Sequence, residues 1–192
     1  MSSRIQNVHS GEYKGKKFRS TLEVRTAEVL DALGIPYEYE NRKILLMEGF
    51  RSPFQKDKVR SITYIPDFTI GNIMIECKGF ETPEWKLKKK LLFKYLQENE
   101  PYTVFYQIHD ARKSLMEVLD KHLTCLELNI EVTNSPKRKN EKVTTQTFDS
   151  ISQAMEELNL TGKPMGTILD SLTGKKQYVY GYSWKLKHIN YE

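Results

Sequence analysis

Apolar positions along the chain switch between a period of two and a period near 3.6, and each switch marks a predicted element. The clearest stretch is Tyr64-Ile-Pro-Asp-Phe-Thr-Ile-Gly-Asn-Ile-Met-Ile-Glu-Cys-Lys-Gly79. Two apolar-rich runs flank Gly71-Asn72, the pattern of a β-hairpin with a tight two-residue turn. With that turn, Ile70 faces Ile73, Phe68 faces Ile75 and Asp67 faces Glu76. Side chains alternate along a strand, so Phe68, Ile70, Ile73, Ile75 and Cys77 share one face. The other face carries Asp67, Glu76 and Lys78. Directly opposed residues have Cβ atoms about 4.5–5.5 Å apart. Two carboxylates that close repel, and a divalent metal or a neighbouring lysine would relieve them.

The remaining pattern supplies helices and strands around this hairpin. Ser20-Thr-Leu-Glu23 fits a capping box. The helix it opens carries Leu22, Ala27, Leu30 and Leu33 as its stripe and stops at Gly34. Thr82 as cap and Pro83 at the first helical position open a second helix. Its inner face is expected to hold Leu87, Leu91, Leu92 and Tyr95, and its outer face Lys86, Lys89, Lys90 and Lys94. A third helix is predicted over 111–122, on Leu115, Val118, Leu119 and Leu123. Strands are predicted over 37–46, 102–108 and 126–132. This order gives an α/β class, with helices on a mixed sheet.

Three stretches lack periodicity. Residues 1–17 read as a loose arm, with Lys14, Lys16 and Lys17 either solvated or touching phosphates. Residues 48–60 form a polar loop with Arg51, Lys56, Lys58 and Arg60. Residues 133–145 are basic and polar and read as a linker. Beyond them Ser150 starts a short helix through Ile151, Ala154, Met155 and Leu158. A second lies around 165–172, and an aromatic strand runs over 178–184. Two short helices and a terminal strand suggest a small helix-turn-helix with a wing. The expected organisation is a core over 1–132, a linker over 133–147 and a small module over 148–192.

Composition narrows the partners. The 192 residues suit one domain, or a core of about 130 residues plus an appendage. A net charge of +5 favours a polyanion. Cys77 and Cys125 form no CxxC pair, so neither zinc nor a disulfide framework is expected. His9, His109, His122 and His188 have no metal-ligand spacing and read as structural or exposed. With no signal peptide and no run of 18 apolar residues, a cytoplasmic protein without a membrane partner is expected.

Pro66-Asp67, eight residues, then Glu76-Cys77-Lys78 resembles the PD-(D/E)xK signature of metal-dependent nucleases. Over residues 13–95 the chain is similar to small phage-associated endonuclease-like proteins of that superfamily. The similarity lies in Phe18-Arg-Ser-Thr-Leu-Glu23, the 64–68 stretch, Glu76-Cys-Lys-Gly-Phe80 with Thr82, and Leu87-Lys-Lys-Lys90. It is also similar to phage junction-resolving endonucleases. In the tail, F-x-S-I-x-x-A from Phe148, then Gly174-Lys-Lys176 and Gly181-Tyr-x-Trp184, resembles modular DNA-binding repeats at the C-termini of phage and intron-encoded endonucleases.

The resemblance implies a restriction-endonuclease-like core that hydrolyses DNA phosphodiesters with one or two Mg²⁺ (or Mn²⁺) ions. It implies Glu23, Asp67, Glu76 and Lys78 as the catalytic set. Asp67, Glu76, the Cys77 carbonyl and Glu23 would serve the metal, and Lys78 would orient or deprotonate water. Glu23 keeps a second reading as the cap of Ser20. DNA contact would fall to Lys86, Lys89, Lys90, Lys94, Lys175 and Lys176, though a basic helix face is also compatible with plain solvation. A homing-type enzyme is the leading expectation. A Holliday-junction resolvase, a non-catalytic DNA-binding protein of the same fold and a nuclease acting on RNA are the alternatives. Homodimerisation is left open.

Overall fold

The computed structural model describes residues 10–136 and 142–189. In chain order these form β1 (Gly11–Tyr13), β2 (Lys16–Phe18), α1 (Thr21–Ala32), β3 (Glu38–Tyr39), β4 (Ile44–Met47), β5 (Ile62–Tyr64), β6 (Phe68–Ile70) and β7 (Ile73–Cys77). There follow α2 (Pro83–Asn99), β8 (Val104–Ile108), α3 (Lys113–Asp120), β9 (Leu128–Asn134), β10 (Thr145–Phe148), α4 (Ile151–Glu157), α5 (Leu169–Leu172) and β11 (Tyr182–His188). The protein is of mixed α/β class. Two compact units are present. One spans Pro36–His109; the other comprises the described residues up to Ile35 and from Asp110 onward.

The unit of residues 36–109 is built on a four-stranded sheet in the order β3-β6-β7-β8. The β6–β7 hairpin has the register expected from sequence, with Phe68 opposite Ile75 and Ile70 opposite Ile73. Gly71 takes a positive φ of 56°. Glycine adopts that conformation freely, and a tight hairpin turn of this kind needs it at its first central residue. β8 lies parallel to β7, and α2 makes the crossover that a parallel pair requires.

Phe68, Ile70, Ile73, Ile75 and Cys77 are all buried, as the alternation requires. The opposite face of β7 is covered as well. Met74 packs in a cluster with Ile44, Tyr64, Trp85, Leu92 and Leu96. The Tyr64, Trp85 and Phe105 rings lie 5.8–6.4 Å apart, centroid to centroid.

Two sequence expectations change in this unit. The single strand over 37–46 is two strands in different sheets, because Glu40 turns the chain with φ +47° and donates its N–H to the Asp67 carbonyl. β3 pairs with β6, and β4 pairs with β5 in a separate two-stranded sheet. The buried stripe of α2 is Trp85, Leu92 and Leu96, with Tyr95 partly buried, while Leu87 is exposed. Trp85 sets this rotation: it is the largest side chain on the helix, and its indole Nε1–H reaches Gln107 Oε1 at 2.9 Å. Lys88 and Lys89 then flank the buried stripe.

The second unit holds the described residues 10–35 and those from 110 onward. Residues 11–17 of the expected loose arm form, with Phe18, the β1–β2 hairpin, turned by Lys14 and Gly15 at φ 51° and 75°. Lys14 pairs with Asp31 on α1 at 2.6 Å. Residues 1–9 of that expected arm lie outside the described residues. The buried stripe of α1 runs through Glu23, Thr26, Ala27 and Leu30; Ala27 and Leu30 lie on it as expected, while Leu22 and Leu33 are half-buried.

β9 is the middle strand of an antiparallel sheet in the order β10-β9-β11. Thr145–Phe148 pairs with Ile130–Thr133, and Tyr182–His188 pairs with Leu128–Asn134. The expected boundary at 132/133 therefore falls inside a strand whose two neighbours come from the tail. Both ends of the expected linker are paired β-structure; its residues 137–141 lie outside the described residues. Side chains tie the tail further. Asp120 at the end of α3 accepts from the Ile151 and Ser152 N–H groups at the start of α4, at 2.5 and 3.2 Å. Arg112 donates to the Gly166 carbonyl and to Asp170. Trp184 is fully buried, with its indole N–H on the Val179 carbonyl and its backbone N–H on Ser171 Oγ.

Candidate functional site

The β6–β7 hairpin brings Asp67, Cys77, Glu76 and Lys78 together at the end of the sheet where β7 runs out. Asp67 is the residue before β6, so it falls in register with Glu76. Its Oδ2 accepts the Cys77 N–H at 2.7 Å, which closes the hairpin one step beyond the last strand pair. Glu76 is 6% exposed. Burying a carboxylate requires partners. The Tyr64 hydroxyl donates to Glu76 Oε2 at 2.9 Å, and Lys78 Nζ lies 3.7 Å from Oε1. The positive charge that two opposed carboxylates call for is thus supplied by a lysine two residues along the strand.

Lys78 is held from three directions. Its N–H donates to the Ile108 carbonyl at 2.9 Å, and its own carbonyl accepts from His109 Nδ1 at 2.5 Å. The ammonium sits 5.3 Å from the centre of the Trp85 ring, a cation–π distance. Backbone and amine are therefore both located by β8 and α2. Burial first, and the Glu76 carboxylate second, push the Tyr64 phenol far above its ordinary value. Tyr64 stays protonated and acts as a donor to Glu76 throughout the working pH range.

Sequence reasoning missed Tyr64, Trp85, Gln107 and His109 as parts of this site. Tyr64 had a signal in its place three residues before Asp67. His109 had none, since its partner is a main-chain carbonyl on a strand 31 residues away.

Glu23 lies in the other unit, on α1. It is 4% exposed and forms the expected cap. Ser20 Oγ accepts the Glu23 N–H at 3.2 Å and donates to Oε1 at 2.7 Å, while the Arg19 N–H donates to Oε2 at 2.9 Å. Among the described residues no group of three His, Cys, Asp or Glu side chains forms a ready set of metal ligands. The donors that Asp67 and Glu76 do offer are hard carboxylate oxygens, which fit Mg²⁺ or Mn²⁺ with water and substrate oxygens completing the shell.

The lysines nominated for DNA divide into two groups. Lys86, Lys90 and Lys94 are exposed on α2, and Lys94 makes a loose i,i+4 pair with Glu98 at 3.7 Å. Lys89 instead pairs with Glu81 and approaches Gln107 Oε1 at 3.3 Å. Its hydrogen bond holds the Glu81 carboxyl below the ordinary range. In the second unit Lys175 is exposed, and Lys176 pairs with Asp170 at 3.1 Å. No family model, no curated protein and no solved structure matches the chain. No helix among the described residues is long and apolar enough to cross a membrane.

Proposed function

We propose that the chain is a metal-dependent DNA endonuclease of the PD-(D/E)xK kind. One observation carries the reading: a single hairpin holds two acidic side chains and a lysine at one sheet end, with Lys78 beside Glu76 and Asp67 on the Cys77 N–H. The succession of hairpin, helical crossover and parallel strand in β6–β7–α2–β8 supports the restriction-endonuclease-like core. Asp67 and Glu76 would hold Mg²⁺ or Mn²⁺, with the Cys77 carbonyl a further oxygen. When bound, the ion would polarise the scissile phosphate and acidify a water.

The chain's own residues have distinct tasks. Tyr64 orients Glu76 and satisfies one of its oxygens. Lys78, preset by Ile108, His109 and Trp85, stabilises charge gathering on the phosphate and orients the attacking water. Glu23 serves as cap of α1. Lys86, Lys90 and Lys94 offer phosphate contacts. The tail, through Lys175, adds DNA contact as part of a folded unit built on β9.

The test is conversion of supercoiled plasmid to nicked and linear forms in the presence of Mg²⁺. Asp67→Asn and Lys78→Ala are each expected to lower the rate by at least about 100-fold, with folding and DNA binding retained. Cleavage at the wild-type rate by either variant removes the proposed site. Absence of cleavage by the wild type with Mg²⁺ and with Mn²⁺ favours a DNA-binding protein of the same fold.

A further inference from the structure

The chain between β4 and β5 is built as an arm. Leu45 pairs with Thr63 and Met47 with Ile62. The register shifts between those two pairs, and three residues further along each strand Phe50 and Val59 exchange both backbone hydrogen bonds, at 3.0 and 2.8 Å. Gly49 permits that closure, since a Cβ there would lie 2.8 Å from the Val59 carbonyl oxygen. Beyond the pair the tip is held by its own polar groups: the Phe54 N–H donates to Ser52 Oγ, and Gln55 Nε2 donates to the Asp57 carbonyl.

The phenyl rings and cations on this arm do not serve the fold. Phe54 is 95% exposed and Phe50 51%. Around them Arg51, Lys56, Lys58 and Arg60 are all exposed, and no ion pair is found for any of the four among the described residues. Residues 48–61 hold these four cations against two carboxylates, Glu48 and Asp57. Isolated exposed apolar residues are ordinary. Two phenyl rings interleaved with four such cations on one ordered hairpin match a narrower chemistry, in which cations follow a phosphate backbone and aromatic faces accept unstacked bases.

We infer that this arm is a binding site for unpaired bases, with Phe54 as its stacking surface and Arg51, Lys56, Lys58 and Arg60 as its phosphate contacts. The inference rests on the nuclease reading for its placement. β5 leads from the arm straight to Tyr64, which bonds Glu76. Val59 to Tyr64 is five residues of extended chain, about 17 Å at roughly 3.3 Å per residue. A strand held on the arm would thus have an unstacked stretch within a few nucleotides of the carboxylates. Duplex keeps its bases stacked and offers the phenyl rings little, so the arm favours DNA with a single-stranded segment.

The experiment measures affinity of the full chain for a fluorescently labelled single-stranded oligonucleotide and for the duplex of the same sequence, with Ca²⁺ replacing Mg²⁺. Phe54→Ala is expected to weaken single-strand binding about 5- to 150-fold, the range for losing one stacked base. Its duplex affinity should change less than about twofold, and Phe54→Trp should restore single-strand affinity. An unchanged single-strand affinity in Phe54→Ala, or an equal loss on both forms, overturns the inference. So does a Phe54-dependent association with phosphatidylserine vesicles that has no counterpart on DNA. Plasmid cleavage by the wild type with no effect of Phe54 on single strands sinks the arm alone. Phe54-dependent single-strand binding by a chain that cuts nothing sinks the nuclease reading and leaves the arm standing.

Discussion

A buried carboxylate is defined by what satisfies it, and Glu76 and Glu23 differ on that point. The partners seen for Glu76 are the Tyr64 hydroxyl and, at 3.7 Å, the Lys78 ammonium. Those seen for Glu23 are its own helix start. On the nuclease reading Glu76→Gln is therefore expected to weaken metal binding by replacing an anionic oxygen with an amide NH₂ and removing the negative charge, whereas Glu23→Gln forfeits a capping bond of about 1 kcal/mol. Tyr64→Phe tests the support behind Glu76. It should lower metal affinity or activity about 10- to 100-fold, as loss of an outer hydrogen-bond partner does. Calorimetric titration with Mg²⁺ and thermal melting separate these effects. Equal Mg²⁺ affinity in wild type and Glu76→Gln contradicts the assignment of Glu76 as a ligand.

At the scale of elements, α2 shows how one rotation reassigns a charged face. With Trp85, Leu92 and Leu96 turned inward, Lys86, Lys90 and Lys94 remain exposed, and Lys89 is committed to Glu81. Removing one lysine from the phosphate backbone should flatten the dependence of log affinity on log salt by about 0.9 on duplex DNA. Alanine at Lys86, Lys90 and Lys94 together is accordingly expected to reduce that slope by between two and three. Lys89→Ala should change it little and act instead through the ion pair it breaks. Binding isotherms at four or more salt concentrations decide this. A slope that falls by about 0.9 for Lys89→Ala alone would show that the lysine pairs with phosphate rather than with Glu81.

For the whole molecule the consequential feature is the strand shared between the tail and what precedes it. β9 has β10 on one edge and β11 on the other, so deleting residues 134–192 strips both neighbours. Leu128, Ile130 and Val132 lose their cover, and Asp120 loses the N–H groups of α4. Unpaired strand edges and exposed apolar faces promote aggregation. The shortened chain is expected to be insoluble or to melt without a cooperative transition. A soluble truncated protein that melts sharply, close to the full-length chain, would show instead that the tail is a detachable module. Arg112→Ala is the milder probe: it should lower the melting temperature by a few degrees by removing the hydrogen bonds to Gly166 and Asp170.

What the sequence by itself determined lies within short stretches of chain. The register of β6 and β7, the Gly71 turn, and the caps at Ser20 and Thr82 depend on alternation and on partners within about ten residues. The meeting of Asp67, Glu76 and Lys78 at one sheet end follows from that same register. Tertiary structure decided what depends on distant segments. Trp85 chose the buried face of α2 by reaching Gln107, Tyr64 and Phe105. Glu40 broke one predicted strand into two that pair with different partners. His109 found the Lys78 carbonyl because β8 runs parallel to β7. The tail joined β9 because a middle strand needs hydrogen bonds on both edges, and the composition of residues 133–145 carries no sign of that demand.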